Sequence, residues 1–362
     1  MKILANYLPQ YHRIPENDAW WGEGYTDWTA VKNAKPLYAG HDQPRIPLEG
    51  YYDLSESRAI ARQVEIARCY GVSGFAIYHY WFNSKMKLLE KPAELLLANP
   101  QLDLEYLFLW DNQSWKRTWS QVKRGNDWAP NFDSGGGKAE GILAELQYGG
   151  EEDWKKHFLY LLPFFRDDRY MKADGKPLFG FFCANVEEER ETLRSMSRYW
   201  DRLARENGLP GIVCMGRESI GEIAFEDKFL YSPFANIRLR DAAIHKARDE
   251  WMIRTKKIRF YDYDECWEKT LKNARLSDEK TILSGFVNFD DSPRRGDKGR
   301  IIRGGSPEKF EKYLRRLLDI ADRQGKDLVF LTAWNEWGEG AYLEPDRTDG
   351  FAYLEALKRA VE

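Results

Sequence analysis

The sequence predicts an α/β protein, a single (β/α)8 TIM barrel over residues 1–362 with long loops after the third and sixth strands. Two observations carry that expectation. Short β-rich apolar runs alternate with amphipathic helical stretches, the pattern of repeated βαβ units on a parallel sheet. There are eight such runs, enough to close the sheet on itself, and neither an internal repeat nor a linker interrupts the series.

The eight runs are Lys2–Leu8, Val72–Tyr80, Glu105–Trp110, Pro177–Ala184, Gly211–Met215, Phe229–Pro233, Ile282–Phe289 and Leu328–Ala333. Helical stretches between them include Ser55–Cys69, Glu151–Phe165, Glu188–Glu206 and Pro307–Arg323, several of which end on a glycine stop such as Gly71, Gly208 or Gly325. Residues 111–150, with Gly135, Gly136 and Gly137, predict an extended loop over the barrel mouth. Residues 234–281, rich in Arg, Lys and Asp, predict a helical insertion after the sixth strand.

A hydrophobic fraction of 43% allows a large core, while 14 Trp and 20 Tyr exceed what such a core needs. Flat rings with polar tips suit the C–H faces of sugars, and they suit an aromatic-rich core equally well, so composition alone does not choose. A net charge of −3 and a pI near 6.1 argue against a nucleic-acid partner, which needs concentrated Lys and Arg, and none is expected. No apolar run is long enough to span a bilayer, and with Met1 as the native start, Met1-Lys2 passing straight into the first strand, no secretory leader is expected. Cys69, Cys183, Cys214 and Cys266 form no CxxC pair and read as buried free thiols of a reducing compartment. The expected location is cytoplasmic.

Barrel active sites lie on the loops that follow the strands. The first strand leads into Tyr7, Gln10, Tyr11 and His12, then Trp20, Trp21 and Thr26-Asp27-Trp28. The second ends in Tyr78-His79-Tyr80-Trp81-Phe82-Asn83, and the third in Trp110-Asp111-Asn112-Gln113-Ser114-Trp115 with Trp119 behind it. The seventh runs through Asn288-Phe289-Asp290-Asp291 to Pro293-Arg294-Arg295-Gly296, and the eighth ends in Trp334-Asn335-Glu336-Trp337-Gly338-Glu339-Gly340. Aromatics, amides and carboxylates at one rim suit a polyol, so the expected partner is an oligosaccharide or polysaccharide. Its expected contacts are Tyr7, Trp20, Trp21, Tyr78, His79, Trp81, Asn112, Trp115, Arg294, Trp334 and Asn335.

Glycosidic cleavage needs one group to protonate the leaving oxygen and another to assist at the anomeric carbon, and two crowded carboxyls can hold different pKa values. Glu336 and Glu339 fit, three residues apart on a turn that Gly338 and Gly340 leave free to aim both into the mouth. The alternative is a pair of exposed loop glutamates. His12, His41, His79, His157 and His245 form no HxH or HExxH spacing, so neither a metal site nor a cofactor is expected. Asp262-Tyr263-Asp264 matches the DxD of metal-dependent sugar-nucleotide transferases, yet it sits in a charged stretch before a helix and reads as a chance match. No P-loop, dinucleotide fingerprint or GxSxG elbow occurs.

The motifs also carry a resemblance. They are Tyr7-Leu8-Pro9-Gln10-Tyr11-His12, Asn17-Asp18-Ala19-Trp20-Trp21-Gly22, Lys35-Pro36-Leu37 with Gln43-Pro44, and Tyr78-His79-Tyr80-Trp81-Phe82. Further on come Asp174-Gly175-Lys176-Pro177-Leu178, Pro293-Arg294-Arg295-Gly296, Trp334 through Gly340, and Leu343-Glu344-Pro345. In this order they resemble the WbsX family, often labelled as polysaccharide-biosynthesis proteins and related to glycoside hydrolase family 99. The chain departs from the pattern at Asn112-Gln113-Ser114-Trp115, where the family usually has Asn-Glu-Asn-Trp, and at Gly338, where family 99 commonly has His.

The resemblance implies a retaining, possibly endo-acting hydrolase or transglycosylase of a bacterial surface polysaccharide or its lipid-linked precursor. It implies that Glu336 takes the proton of the sugar 2-hydroxyl, whose oxygen then forms a 1,2-anhydro sugar, while Glu339 protonates the leaving oxygen. The alternatives are a glycosyltransferase of O-antigen or capsular polysaccharide biosynthesis, as the label suggests, and a non-catalytic carbohydrate-binding barrel.

Overall fold

In the computed structural model, which describes residues 1–116, 142–234, 247, 250–252, 254–255 and 258–362, eight strands lie side by side in chain order. They are β1 (Lys2–Tyr7), β2 (Gly74–Asn83), β3 (Glu105–Trp110), β4 (Lys176–Phe181), β5 (Val213–Arg217), β6 (Asp227–Phe229), β7 (Thr281–Phe286) and β8 (Leu328–Thr332). All of these neighbours are parallel, and β1 pairs with both β2 and β8, which closes the sheet into the expected TIM barrel. The strands fall on the eight apolar runs of the sequence with shifted ends, the sixth sharing only Phe229 with its run.

Around them lie α1 (Ser57–Cys69), α2 (Lys91–Ala98), α3 (Glu151–Arg166), α4 (Glu187–Glu206), α5 (Tyr263–Leu276), α6 (Pro307–Arg323) and α7 (Ala352–Val361). Helix α6 shows why they form. The Ser306 side chain caps its start by accepting from the Lys309 N–H at 3.3 Å, and Pro307 takes the first helical position. Phe310, Leu314, Leu317 and Ala321 then recur on the face turned to the barrel and are fully buried.

Two connections differ from the expectation. Strands β5 and β6 are joined by residues 218–226 without a helix. The segment is instead held to the barrel by its own backbone, with Ala224 N–H donating to the Ala184 carbonyl at 2.6 Å and Arg190 of α4 donating to the Glu222 carbonyl. The charged stretch after β6 is not simply a helical insertion: Arg259–Asp262 forms a strand parallel to Arg300–Arg303, and α5 follows it as an ordinary barrel helix. In the loop after β3, Trp115–Lys116 pairs antiparallel with Ile142–Ala144. The rest of that loop, including Trp119, Gly135, Gly136 and Gly137, lies outside the described residues, as does His245.

Much of the aromatic surplus fills the layer between strands β2–β4 and helices α3–α4. Trp81 stacks on His157 with ring centres 4.3 Å apart, and Trp110, Phe179 and Trp200 pack edge-on around the same imidazole. The cysteines are free, but of the four expected to be buried only Cys214 and Cys266 are; Cys183 is half-buried and Cys69 is exposed. Cys69 falls off the stripe of Ile60, Val64 and Ala67 that α1 turns inward. Among the described residues no helix is long and apolar enough to cross a membrane.

Candidate active site

At the C-terminal rim of the barrel opens a cavity of about 260 Å³. Leu8 and Gln10 come from the end of β1, Tyr78 and Tyr80 from β2, Asp111 and Gln113 from beyond β3, and Phe182 from beyond β4. Arg217 ends β5, Tyr231 follows β6, Arg294 and Arg295 follow β7, and Glu336 and Glu339 follow β8. The Tyr78 and Tyr231 hydroxyls meet at 2.7 Å.

Arg294 organises this space. Its Nε and Nη2 donate to the two oxygens of Asp27 at 3.1 and 2.9 Å, Nη2 also reaches Glu336 at 3.1 Å, and Nη1 reaches Glu339 at 3.1 Å. Two carboxyls on the terminal nitrogens of one guanidinium are necessarily neighbours. Burial opposes the charge of Arg294, but Asp27, Glu336 and Glu339 outweigh it and hold the guanidinium firmly protonated. Glu336 is only 4% exposed. Its burial pushes the carboxyl up to about 8, with Glu339 and Asp27 adding to the rise and Arg294 opposing it.

The turn that carries the glutamates is fixed from several sides. Asn335 imitates a strand partner for Leu8, accepting from its N–H at 2.7 Å and donating to its carbonyl at 3.0 Å. The Tyr11 hydroxyl donates to the Asn335 carbonyl at 2.7 Å and accepts from the Trp337 N–H at 3.1 Å. From the loop after β7, the Asp290 N–H donates to the Glu339 carbonyl at 2.6 Å. Gly338 is required by close approach: a Cβ there would lie 2.4 Å from Arg294 Nε and 2.6 Å from an Asp27 oxygen. Beneath the turn, buried Glu344 accepts from Tyr52, Gln63, Trp334 and Trp337 at 2.7, 2.7, 3.1 and 2.7 Å. Burial pushes Glu344 up to about 7 against the pull of those donors.

Of the residues singled out in the sequence, Glu336, Glu339, Tyr78 and Arg294 come together in the cavity. The other expected contacts are not among its lining residues, and the pleat explains several of them. Side chains alternate along a strand, so Tyr78 and Tyr80 face the barrel axis while His79 and Trp81 face α3. His79 bonds His157 at 2.8 Å, and burial pushes it down to about 3, so the pair is neutral. Tyr7 likewise points outward and donates to Gln63 at 2.7 Å.

Asn112 accepts from the Cys183 N–H at 2.7 Å and donates to its carbonyl at 2.6 Å, joining the ends of β3 and β4. Trp115 packs on Tyr80 and Phe82, half-buried Trp20 packs on Trp115, and Trp21 packs on Tyr25. Trp334 rests on Phe75, with its indole N–H on Glu344. Arg217 and Tyr231 lie at the ends of the fifth and sixth strands, where no aromatic or carboxylate motif marks them in the sequence, and nothing local pairs Asp27 with Arg294. Continuing the two-residue period of β5 by one inward position past Met215 reaches Arg217.

A family model described as Glycosyltransferase WbsX matches residues 3–357. The chain belongs to the WbsX family. Among curated relatives, this WbsX chain is 29% identical over 99% of its length to "Uncharacterized protein WxcX" of Xanthomonas campestris pv. campestris strain B100, and it spans about half (49%) of that protein. Among solved structures it is similar to the GH99 endo-alpha-mannosidase from Bacteroides thetaiotaomicron, with a TM-score of 0.55 at 14% identity over 99% of this chain and 96% of the other. It is also similar to a glycoside hydrolase-like protein, with a TM-score of 0.55 at 12% identity over 99% and 93% of the two chains. At those identities the likeness is one of fold. The WbsX name points to glycosyl transfer, and the first of these structures is an endo-mannosidase.

The two aspartates of the Asp262-Tyr263-Asp264 match are engaged in local structure. Asp262 caps α5 by accepting from the Glu265 N–H at 2.9 Å, and Asp264 pairs with Lys309 and accepts from the Tyr313 hydroxyl at 2.7 Å.

Proposed function

We propose that this WbsX chain is a retaining glycoside hydrolase of the family 99 type, acting on a bacterial surface polysaccharide or its precursor. The observation that carries the proposal is the pair of carboxyls held on one guanidinium at the mouth of a barrel, one of them shifted towards its protonated form. Glu336, as its anion, accepts the proton of the substrate 2-hydroxyl while that oxygen attacks the anomeric carbon. Glu339 gives its proton to the departing glycosidic oxygen. Water then opens the 1,2-anhydro ring, with its proton going to Glu339 and the proton on Glu336 returning to O2.

Burial favours the proton on Glu336, whereas this cycle needs Glu336 as its anion; Arg294, on Glu336 at 3.1 Å, opposes that rise and is the group that would hold the anion. Tyr78 and Arg294 would contact the sugar. Tyr7, Asn112, Trp334 and Asn335 would hold the rim in shape, and Trp20, Trp21 and Trp115 would wall it.

The test is to incubate purified protein with a panel of bacterial surface glycans, with and without sugar nucleotides. Reducing ends released without any nucleotide support the hydrolase. Product that forms only when a sugar nucleotide is added would instead assign a transferase, the reading that the family name favours.

A further inference from the structure

The fifth strand delivers a cation to the cavity whose side chain, among the described residues, is in no salt bridge. Arg217 is half-buried and lines the same space as Glu336 and Glu339, with its guanidinium over the Phe182 ring at 5.5 Å from the centroid. The other two arginines in the cavity are committed, Arg294 to three carboxylates and Arg295 to Asp291 at 3.2 Å. Among the described residues the Arg217 side chain makes no ion pair or hydrogen bond. Its neighbour Glu218 turns to Lys228 at 3.4 Å. Asp111, in the same cavity, feels the charge of Arg217, yet it accepts from the Gln113 side chain at 2.9 Å and burial pushes its carboxyl up.

A neutral sugar gives such a guanidinium little reason to be there, since two glutamates, an aspartate and several hydroxyls already supply polar contacts. An anionic sugar needs it. The carboxylates of the cavity repel a second anion, Arg294 is saturated, and a planar fork of N–H donors matches an oxyanion by paired charge-assisted hydrogen bonds. We propose that Arg217 is a specificity-determining residue that selects a substrate whose unit in this cavity bears an anionic group, either the carboxylate of a uronic acid or a phosphate. The assignment rests on the cavity being a carbohydrate site.

The test compares three polymers: a uronic-acid-containing surface polysaccharide, the same polysaccharide after chemical reduction of its carboxyls, and a polymer of phosphodiester-linked sugars. Binding by calorimetry and release of reducing ends are measured separately, on the intact chain and on R217A and R217K. The expected result is at least about tenfold tighter binding of one anionic polymer over the carboxyl-reduced one, a preference erased in R217A and partly kept in R217K. Which anionic polymer shows it separates carboxylate from phosphate. Equal binding of the acidic and reduced forms, a preference that survives in R217A, or no Arg217-dependent binding to any polymer overturns the proposal. Binding that depends on Arg217 without cleavage of any polymer upholds anion selection and sinks the hydrolase. Cleavage of neutral glycans unaffected by R217A does the reverse.

Discussion

Arg294 offers one positive charge to the three carboxyls of Asp27, Glu336 and Glu339, so the cluster carries excess negative charge, which a proton kept on one carboxyl reduces. Burial assigns that proton to Glu336, at about 8 against 4.5 in the unfolded chain. With the folded value raised, the native state binds more protons than the unfolded one between those limits, and stability falls as pH climbs through that window. Glu336→Gln has nothing to titrate there. Its melting temperature should therefore gain on that of the unsubstituted chain from pH 5 to pH 8, with a gain of no more than about 1.4 kcal/mol per pH unit. A difference that does not move with pH would show that Glu336 ionises normally.

Turnover tests the same pair differently. Glu339→Gln removes the acid at almost constant volume, and the loss should be roughly 10²–10⁴-fold, shrinking for substrates with a good leaving group. Glu336→Gln should be costly for every leaving group. A 2-deoxy or 2-fluoro substrate should bind without turnover, and a glycosyl–Glu336 ester seen by mass spectrometry would refute the 2-hydroxyl route.

Among the elements, the segment after β8 depends most on what lies behind it. Glu344 is an acceptor at four hydrogen bonds, two of them from the indoles of Trp334 and Trp337 that flank Glu336. In Glu344→Gln one oxygen becomes an amide that faces a donor, and an unsatisfied buried group costs roughly 1–3 kcal/mol. We expect a lower melting temperature together with a fall in kcat, although residue 344 does not line the cavity. An unchanged kcat at a lowered melting temperature would mean that the turn keeps its shape without this support.

The element scale is also where the sequence spoke most and least clearly. Barrel strands are apolar on both faces, so all eight stood out as runs. For the same reason their phase did not: Tyr78-His79-Tyr80-Trp81 is aromatic throughout, and only the structure says that alternate residues face the axis. The connection of residues 218–226 carries no helical stripe and forms no helix. Asp27 was legible as a polar residue after β1, but its partner Arg294 is 267 positions away, a distance over which local pattern says nothing.

For the molecule as a whole, closure joins residues near the two ends of the sequence, with Lys2 in register with Leu328 and Ala5 with Leu331. Opening that seam exposes the edges of β1 and β8 together and removes the support of the turn that carries Glu336 and Glu339. Unfolding by denaturant should therefore be one transition, with the near-ultraviolet signal of the buried tryptophans and the far-ultraviolet signal of the helices coinciding. Two separated transitions would show that part of the barrel melts on its own. Activity should also survive exhaustive chelation, since among the described residues no three His, Cys, Asp or Glu side chains converge as a metal site would need. Loss on chelation with rescue by manganese would redirect attention to Asp262 and Asp264.

Gly338 and Arg294 lay claim to one small volume. A Cβ at position 338 would lie 2.4 Å from Arg294 Nε and 2.6 Å from an Asp27 oxygen, so a side chain introduced there makes the guanidinium move from its place between Asp27 and the two glutamates. Bulk added at one position is thereby converted into a rearrangement of charge at two others, and the smallest residue of the turn acts as a setting for the electrostatics of its largest neighbours.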